Sequence, residues 1–187
     1  VKKLDGVEVT TFTDAAAFDS WLSENHQRQD GVWLKLAKKS SGIPSLTDDE
    51  AVDVGLCWGW ISGLRRSHDK FFYLQKYVPR RPRSAWSQVN VSRVETLTAA
   101  GRMRSPGLAE VAAAKADGRW NAAYFSQRDA VPPPDLVKAL AKNKAAARFF
   151  AQLNKSDQYA VILRLVKERT AAGRAARLAK IIASMGK

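Results

Sequence analysis

The 187-residue chain reads as an α+β fold, a small and mainly antiparallel sheet packed with helices, followed by a helical C-terminal segment. Three observations predict this. Strand signals, the clearest being the period-two alternation of Val7 to Phe12, occur only before position 80 of the sequence. Helical spacing with cap signals runs from Ser87 to the end. An apolar fraction of 45% against 26% charged residues suits a chain with a real core and excludes wholesale disorder. The expected division is an α+β domain over residues 1–125 and a helical segment over residues 131–187 packed on it.

The elements follow in order. Val7-Glu8-Val9-Thr10-Thr11-Phe12 alternates as a strand, and Thr13 is placed to cap a helix whose Phe18, Trp21 and Leu22 form one stripe. Asp30-Gly31 is a turn before the strand Val32 to Ala37. Ser40 to Pro44 is a loop. Thr47-Asp48-Asp49-Glu50 is a capping box opening a helix, through about Trp58, that is apolar nearly all round and therefore buried. Gly59 ends it. Residues 60–66 and 71–78 read as an antiparallel hairpin joined by Ser67-His68-Asp69-Lys70.

Ser92 with Glu95 forms a second capping box in a helix ending at Gly101, and Ser105-Pro106 starts another that runs to Asp117-Gly118. Ser126 to Pro134 is a linker or extended segment. Asp135, Asn143 and Ser156 each stand where a helix cap is expected. A final helix covers about Thr170 to Met185, with Leu178, Ile181, Ile182 and Met185 on one side.

Charge is the unusual quantity. The 31 Lys and Arg against 18 Asp and Glu leave +13, and a pI near 10.1. The excess is uneven: residues 1–60 carry −4, residues 61–120 carry +8, and residues 121–187 carry +9. An anionic small molecule or a polyanion is the partner this implies; a merely solvated surface is the alternative.

The densest candidate site is Pro79 to Asn90. Arg80, Arg81 and Arg83 project from a proline-stiffened stretch beside Trp86, with Ser84 and Asn90 as small polar groups. Guanidinium forks match the paired oxygens of phosphate or carboxylate, and Ser87 lies near a helix start, where free amides favour an anion. The structural alternative pairs Arg80 or Arg81 with a carboxylate and places Trp86 in the core. Trp58 and Trp60 flank Gly59 at a helix-to-strand corner, either against a ligand or as core. Cys57, at the wrong end of an apolar helix for activation, reads as buried and inert. Arg65 and Arg66 of the hairpin, and Arg174 and Arg177 with Arg164, Lys167, Arg169 and Lys180 of the last helices, are candidate contacts for nucleic-acid phosphates or an anionic membrane. Surface charges opposite an apolar stripe are the bland alternative.

One cysteine and two isolated histidines give no metal cluster or disulfide framework. No phosphate loop, nucleotide fingerprint or hydrolase motif occurs, so neither a cofactor nor a set of catalytic residues is expected. No apolar run reaches the roughly 18 residues of a membrane span, and no apolar stretch follows Val1-Lys2-Lys3, so the expected setting is cytoplasmic.

Cys57-Trp58-Gly59-Trp60-Ile61-Ser62-Gly63, Pro79-Arg80-Arg81 through Trp86-Ser87 to Asn90, and Ala114 to Trp120 resemble the YdeI/OmpD-associated (bacteriocin-protection, OmdA-type) family. Val131-Pro132-Pro133-Pro134-Asp135-Leu136, Ala139-Leu140, Phe150, Arg174 and Arg177 are similar to its helical C-terminal module. Two positions depart from the family pattern. Ser62 replaces the usual Asp, and Gly173 replaces the usual Thr, which is expected to weaken the local helix cap. The resemblance implies resistance to bacteriocins or cationic antimicrobial peptides, association with an outer-membrane porin and a periplasmic setting; it supplies no catalytic residues. The leading functional expectation is a non-enzymatic module binding an anion or small ligand through the Arg/Trp site. A nucleic-acid-binding protein is the alternative, and an enzyme with an unrecognised site ranks last.

Overall fold

The computed structural model describes residues 2–168 and 170–186. The chain forms two compact units, one of Val1–Ser84 with Asn90–Trp120 and one of Ala85–Val89 with Asn121–Lys187.

The first unit contains β1 (Lys3–Leu4), β2 (Val7–Thr10), α1 (Ala15–Asn25), β3 (Val32–Ala37), α2 (Asp48–Cys57), β4 (Trp60–Ser67) and β5 (Phe72–Pro79). α3 (Gln88–Ala99) and α4 (Ser105–Ala116) follow. The strands form one sheet in the order β1-β2-β3-β5-β4. Only β2 and β3 pair parallel, with α1 as their crossover; the other pairs are antiparallel. The predicted hairpin is β4–β5, with Trp60 opposite Pro79 and Ser67 opposite Tyr73.

One face of the sheet carries Val32, Leu34, Leu36, Trp60 and Tyr77, and packs on Phe18 and Leu22 of α1 and Ala51 and Val54 of α2. Aromatic rings knit this core: Phe12–Phe18 centroids are 5.1 Å apart, Phe18–Tyr77 5.7 Å and Trp21–Trp60 6.0 Å. The other face gathers Val7, Trp33 and Leu74. There Arg66 and Lys76 lie over the Trp33 ring, 5.5 and 5.9 Å from its centroid, so the aliphatic stems of basic residues cover apolar surface.

The Thr47 capping box forms as expected, with Oγ1 accepting from the Glu50 amide and the Glu50 carboxylate accepting from the Thr47 amide. Gly59 turns the chain from α2 into β4 at φ +75°, a conformation that disfavours a side chain.

Several start signals shift. Asp14, rather than Thr13, caps α1, its carboxylate accepting from the Ala17 amide at 2.9 Å while the Thr13 hydroxyl donates to Asp14. A carboxylate is the stronger acceptor. Ser92 is interior to α3, because that helix begins four residues earlier, where the Gln88 amide donates to the Tyr124 carbonyl. α4 is capped at Arg104 without a side-chain bond; Pro106 sets its first turn.

The second unit holds α5 (Pro134–Lys142), α6 (Lys144–Gln152), α7 (Lys155–Val166) and α8 (Ala171–Met185). Leu136, Ala146, Phe150, Val161, Ile162, Leu165, Ile181 and Met185 make its core. The short segment at Trp86 to Gln88 joins this unit by pairing: the Tyr124 amide donates to the Trp86 carbonyl, and Ser87 bridges Tyr124.

Asn143 caps α6 as expected, and Thr170, expected as the first residue of the last helix, is the cap of α8. Asn154, not Ser156, caps α7, because its carboxamide oxygen reaches the Asp157 amide at 2.9 Å. α5 starts at Pro134, whose fixed φ suits a first helical position, so Asp135 lies in the first turn instead of capping. The cap of α8 is not weakened by Gly173. Its amide is the group that Thr170 Oγ1 accepts from, and a Cβ there would stand 2.8 Å from that oxygen.

Candidate functional site

β5 delivers the arginine stretch. Beyond Pro79 the Arg80 amide still donates to the Gly59 carbonyl at 2.9 Å, so Arg80 is tied to the sheet and its side chain is buried. Arg81-Pro82-Arg83-Ser84 is a β-turn closed by the Ser84 amide on the Arg81 carbonyl at 3.0 Å. Pro82 occupies the second position, and Arg83 has φ +68° at the third, where glycine is usual. A long side chain in that conformation is strained, a feature that concentrates at functional turns. Arg119, itself buried, holds the turn from behind: Nη1 donates to the Ser84 carbonyl at 2.9 Å, and Nε donates to the Asp117 carboxylate.

Beside this turn lies a hollow of about 300 Å³ lined by Gln29, Asp30, Lys76, Arg80 and Arg81, with Val7 and Val78 among its apolar lining. Asp30 already has Arg28 at 3.5 Å. Arg81 is exposed, and its guanidinium makes no ion pair among the described residues. The lining thus offers guanidinium, ammonium and amide donors, but no serine, cysteine or histidine. In chemical character that set suits an anion, and the lining holds no nucleophile–base pair.

The structure brings Arg80 and Arg81 into this hollow and leaves the other proposed ligand residues elsewhere. Trp60 is 1% exposed within the core, its indole donating to the His26 carbonyl at 2.9 Å. Half-buried Trp58 donates to Asp19 at 2.7 Å and has His26 against its ring at 5.2 Å. Trp86 is buried and belongs to the second unit, and Asn90 is half-buried in α3. Ser84 contributes its backbone to the turn. Lys76 and Gln29 escaped the sequence reading, because a lone Lys on a strand and a Gln in a loop carry no pattern of their own. Arg119 had one signal, its place in the Ala114 to Trp120 motif.

Cys57 is buried, and burial pushes its thiol above the ordinary range. Among the described residues no group of His, Cys, Asp and Glu could hold a metal ion. No helix among them is long and apolar enough to cross a membrane.

A family model described as "Domain of unknown function (DUF8412)" matches residues 10–110, more than half of the chain. The chain belongs to that family. A second model, "Bacteriocin-protection, YdeI or OmpD-Associated", matches residues 129–187. The C-terminal helices therefore match a YdeI/OmpD-associated module, as the sequence resemblance implies. No curated protein and no solved structure matches.

In the YdeI/OmpD-associated module, Arg174 donates to both oxygens of Asp135, at 2.6 and 2.9 Å, and Arg177 donates to Glu168 at 2.8 Å. In the DUF8412 region, Arg65 binds both oxygens of Asp48 at 2.8 Å, and Arg66 lies 2.9 Å from Asp5. Arg65, Arg66, Arg174 and Arg177 thus hold carboxylates of the chain itself, whereas Arg164 makes no ion pair among the described residues. Arg169 lies outside the described residues.

Proposed function

We propose that the chain acts as a non-enzymatic anion-binding module of a YdeI-type protective protein, with the anion held at the Arg80–Arg81 turn. One observation carries this reading. Arg81 is an exposed guanidinium without a carboxylate partner among the described residues, at the edge of a hollow that Lys76 and Arg80 also line, whereas Arg65, Arg66, Arg174 and Arg177 are paired. A guanidinium kept free beside two more cations suits a single phosphate or carboxylate group. The net charge of +13 argues against direct capture of a cationic peptide, since like charges repel. Protection would then act through an anionic ligand or a protein partner; association with an outer-membrane porin, and the compartment in which it happens, are proposals taken from the family description.

The test is amide-detected NMR with calorimetry on the full chain, titrated with inorganic phosphate and with acetate at physiological salt. The side-chain signals of Gln29 and Arg81 should shift with saturation, and Arg81→Ala with Lys76→Ala should weaken binding at least about tenfold. Unmoved Gln29 and Arg81 signals, or equal affinity in the variant, would refute an anion site at this turn.

A further inference from the structure

The YdeI/OmpD-associated module contains a second, larger basic recess. We infer that the groove between the C-terminal end of α7 and α8 is a binding site for a condensed phosphate group, a diphosphate or triphosphate. The groove encloses about 560 Å³ and is lined by Arg164, Lys167, Glu168, Arg177, Lys180 and Ser184, with Ile181 also in its lining.

Its charge is arranged, not merely abundant. Arg177, Lys180, Ile181 and Ser184 recur at helical spacing along one face of α8, and Arg164 and Lys167 come from the last turn and cap of α7. Glu168, the acidic residue of the lining, is occupied by Arg177 at 2.8 Å. Arg164, Lys167 and Lys180 have no carboxylate partner among the described residues, so three positive charges remain for a ligand. Lys167 is steadied by its position over the Tyr124 ring, 5.4 Å from the centroid, and Ile181 is buried beneath the charged rim.

These features choose among anions. The volume lies in the range of small-molecule sites and exceeds what one phosphate or carboxylate group fills. Three unpaired cations from two helices match a ligand carrying several charges along a short chain. The lining has no aromatic residue, so it offers no stacking platform for bases, the usual source of affinity for single-stranded nucleic acid. Recognition therefore falls on the phosphates. Guanidinium forks suit their paired oxygens, and lysines serve as point charges between them. The site is separate from the Arg80–Arg81 turn and does not depend on it.

The experiment is calorimetric titration of the full chain with sodium tripolyphosphate at physiological salt. The wild-type protein should bind it saturably, and Arg81→Ala, which removes the anion site proposed at the turn, should still bind it saturably at the groove. Arg164→Ala/Lys180→Ala should bind at least about tenfold more weakly, and amide signals of Lys180 and Ser184 should shift only in proteins that bind. Both substituted side chains are exposed and unpaired, so the variant should fold; Arg164→Gln/Lys180→Gln is a milder second variant with the same expected loss. Equal binding by wild type and either groove variant would overturn the inference. So would absence of saturable binding at that salt, or tight binding of a mixed-sequence single-stranded oligonucleotide that tripolyphosphate fails to displace.

Discussion

Arg174 and Asp135 are joined at two points, Nε donating to Oδ2 at 2.6 Å and Nη2 to Oδ1 at 2.9 Å, across 39 positions of sequence. The third arm of the same guanidinium, Nη1, donates to the Leu165 carbonyl at 2.9 Å. One side chain of α8 thereby fastens the first turn of α5 and the last turn of α7. A planar fork is required for this; a lysine supplies one point charge and no fork. Arg174→Lys should lower stability by about 1–2 kcal/mol, measured by denaturant unfolding. Its affinity for polyanions should not change, because the native guanidinium is already occupied.

The same pair sets a pH dependence. Hydrogen bonding from Arg174 holds the Asp135 carboxyl below its usual range. The stability it contributes is full above the ordinary carboxylate value of about 4 and is lost as pH falls through the depressed one. Between pH about 4 and 2, wild type should lose melting temperature more steeply than Asp135→Asn. Parallel melting curves in that window would exclude the linkage.

Gln75 plugs a β-bulge. The register of β4 against β5 shifts between Ser62 and Arg65, which leaves strand carbonyls without ladder partners. The buried Gln75 carboxamide donates to the carbonyls of Gly63 and Leu64, at 2.9 and 3.1 Å, and accepts from Arg65 Nε at 2.7 Å. Gln75→Leu keeps the volume but strands these groups. It should cost about 2–3 kcal/mol of unfolding free energy, whereas Gln75→Glu should retain the Arg65 bond and lose the carbonyl bonds.

Gly107 lets α4 approach α2. A Cβ at this position would stand 2.2 Å from the Cys57 carbonyl oxygen and 2.7 Å from its carbon, both backbone atoms. Gly107→Ala must therefore move a helix, and should destabilise by about 3 kcal/mol or more. A melting temperature within a degree or so of wild type would show that the two helices are not held at this spacing.

Cys57 should be chemically silent in the folded protein. It is buried, and burial raises its thiol above the ordinary value of about 8.5. Modification by a disulfide reagent at neutral pH should be at least about a hundredfold slower than in denaturant, and its rate should follow local opening. Fast labelling with native-like kinetics at pH about 7 would instead require an activating group beside the sulfur.

Much of the fold is legible in local pattern. The strands at Val32–Ala37 and Phe72–Pro79 are short apolar runs rich in β-branched and aromatic residues, the Thr47 capping box has its full four-residue signature, and Asn143 and Thr170 precede clear apolar runs. The β1–β2 hairpin has only its turn as a sequence signal. Asp5-Gly6, both at positive φ, is the two-residue turn such hairpins prefer, but strands this short show no periodicity. The cap assignments that moved lie where two polar candidates stand within a few residues, as with Thr13 and Asp14. Which one bonds the free amides depends on side-chain reach and acidity, not on residue class.

The sequence by itself determined the α+β class, the antiparallel hairpin, the charge asymmetry and the YdeI/OmpD-associated character of the C-terminal helices, because each is written in neighbouring residues. Only the tertiary structure decided which arginines are available. Arg65, Arg66, Arg174 and Arg177 are spent on carboxylates 9 to 61 sequence positions away, while Arg81 stands exposed beside Lys76 and Gln29. A basic residue has the same signature in sequence whether it is paired or free. Its partner is chosen by the packing of elements that are distant along the chain, and no local pattern encodes that choice.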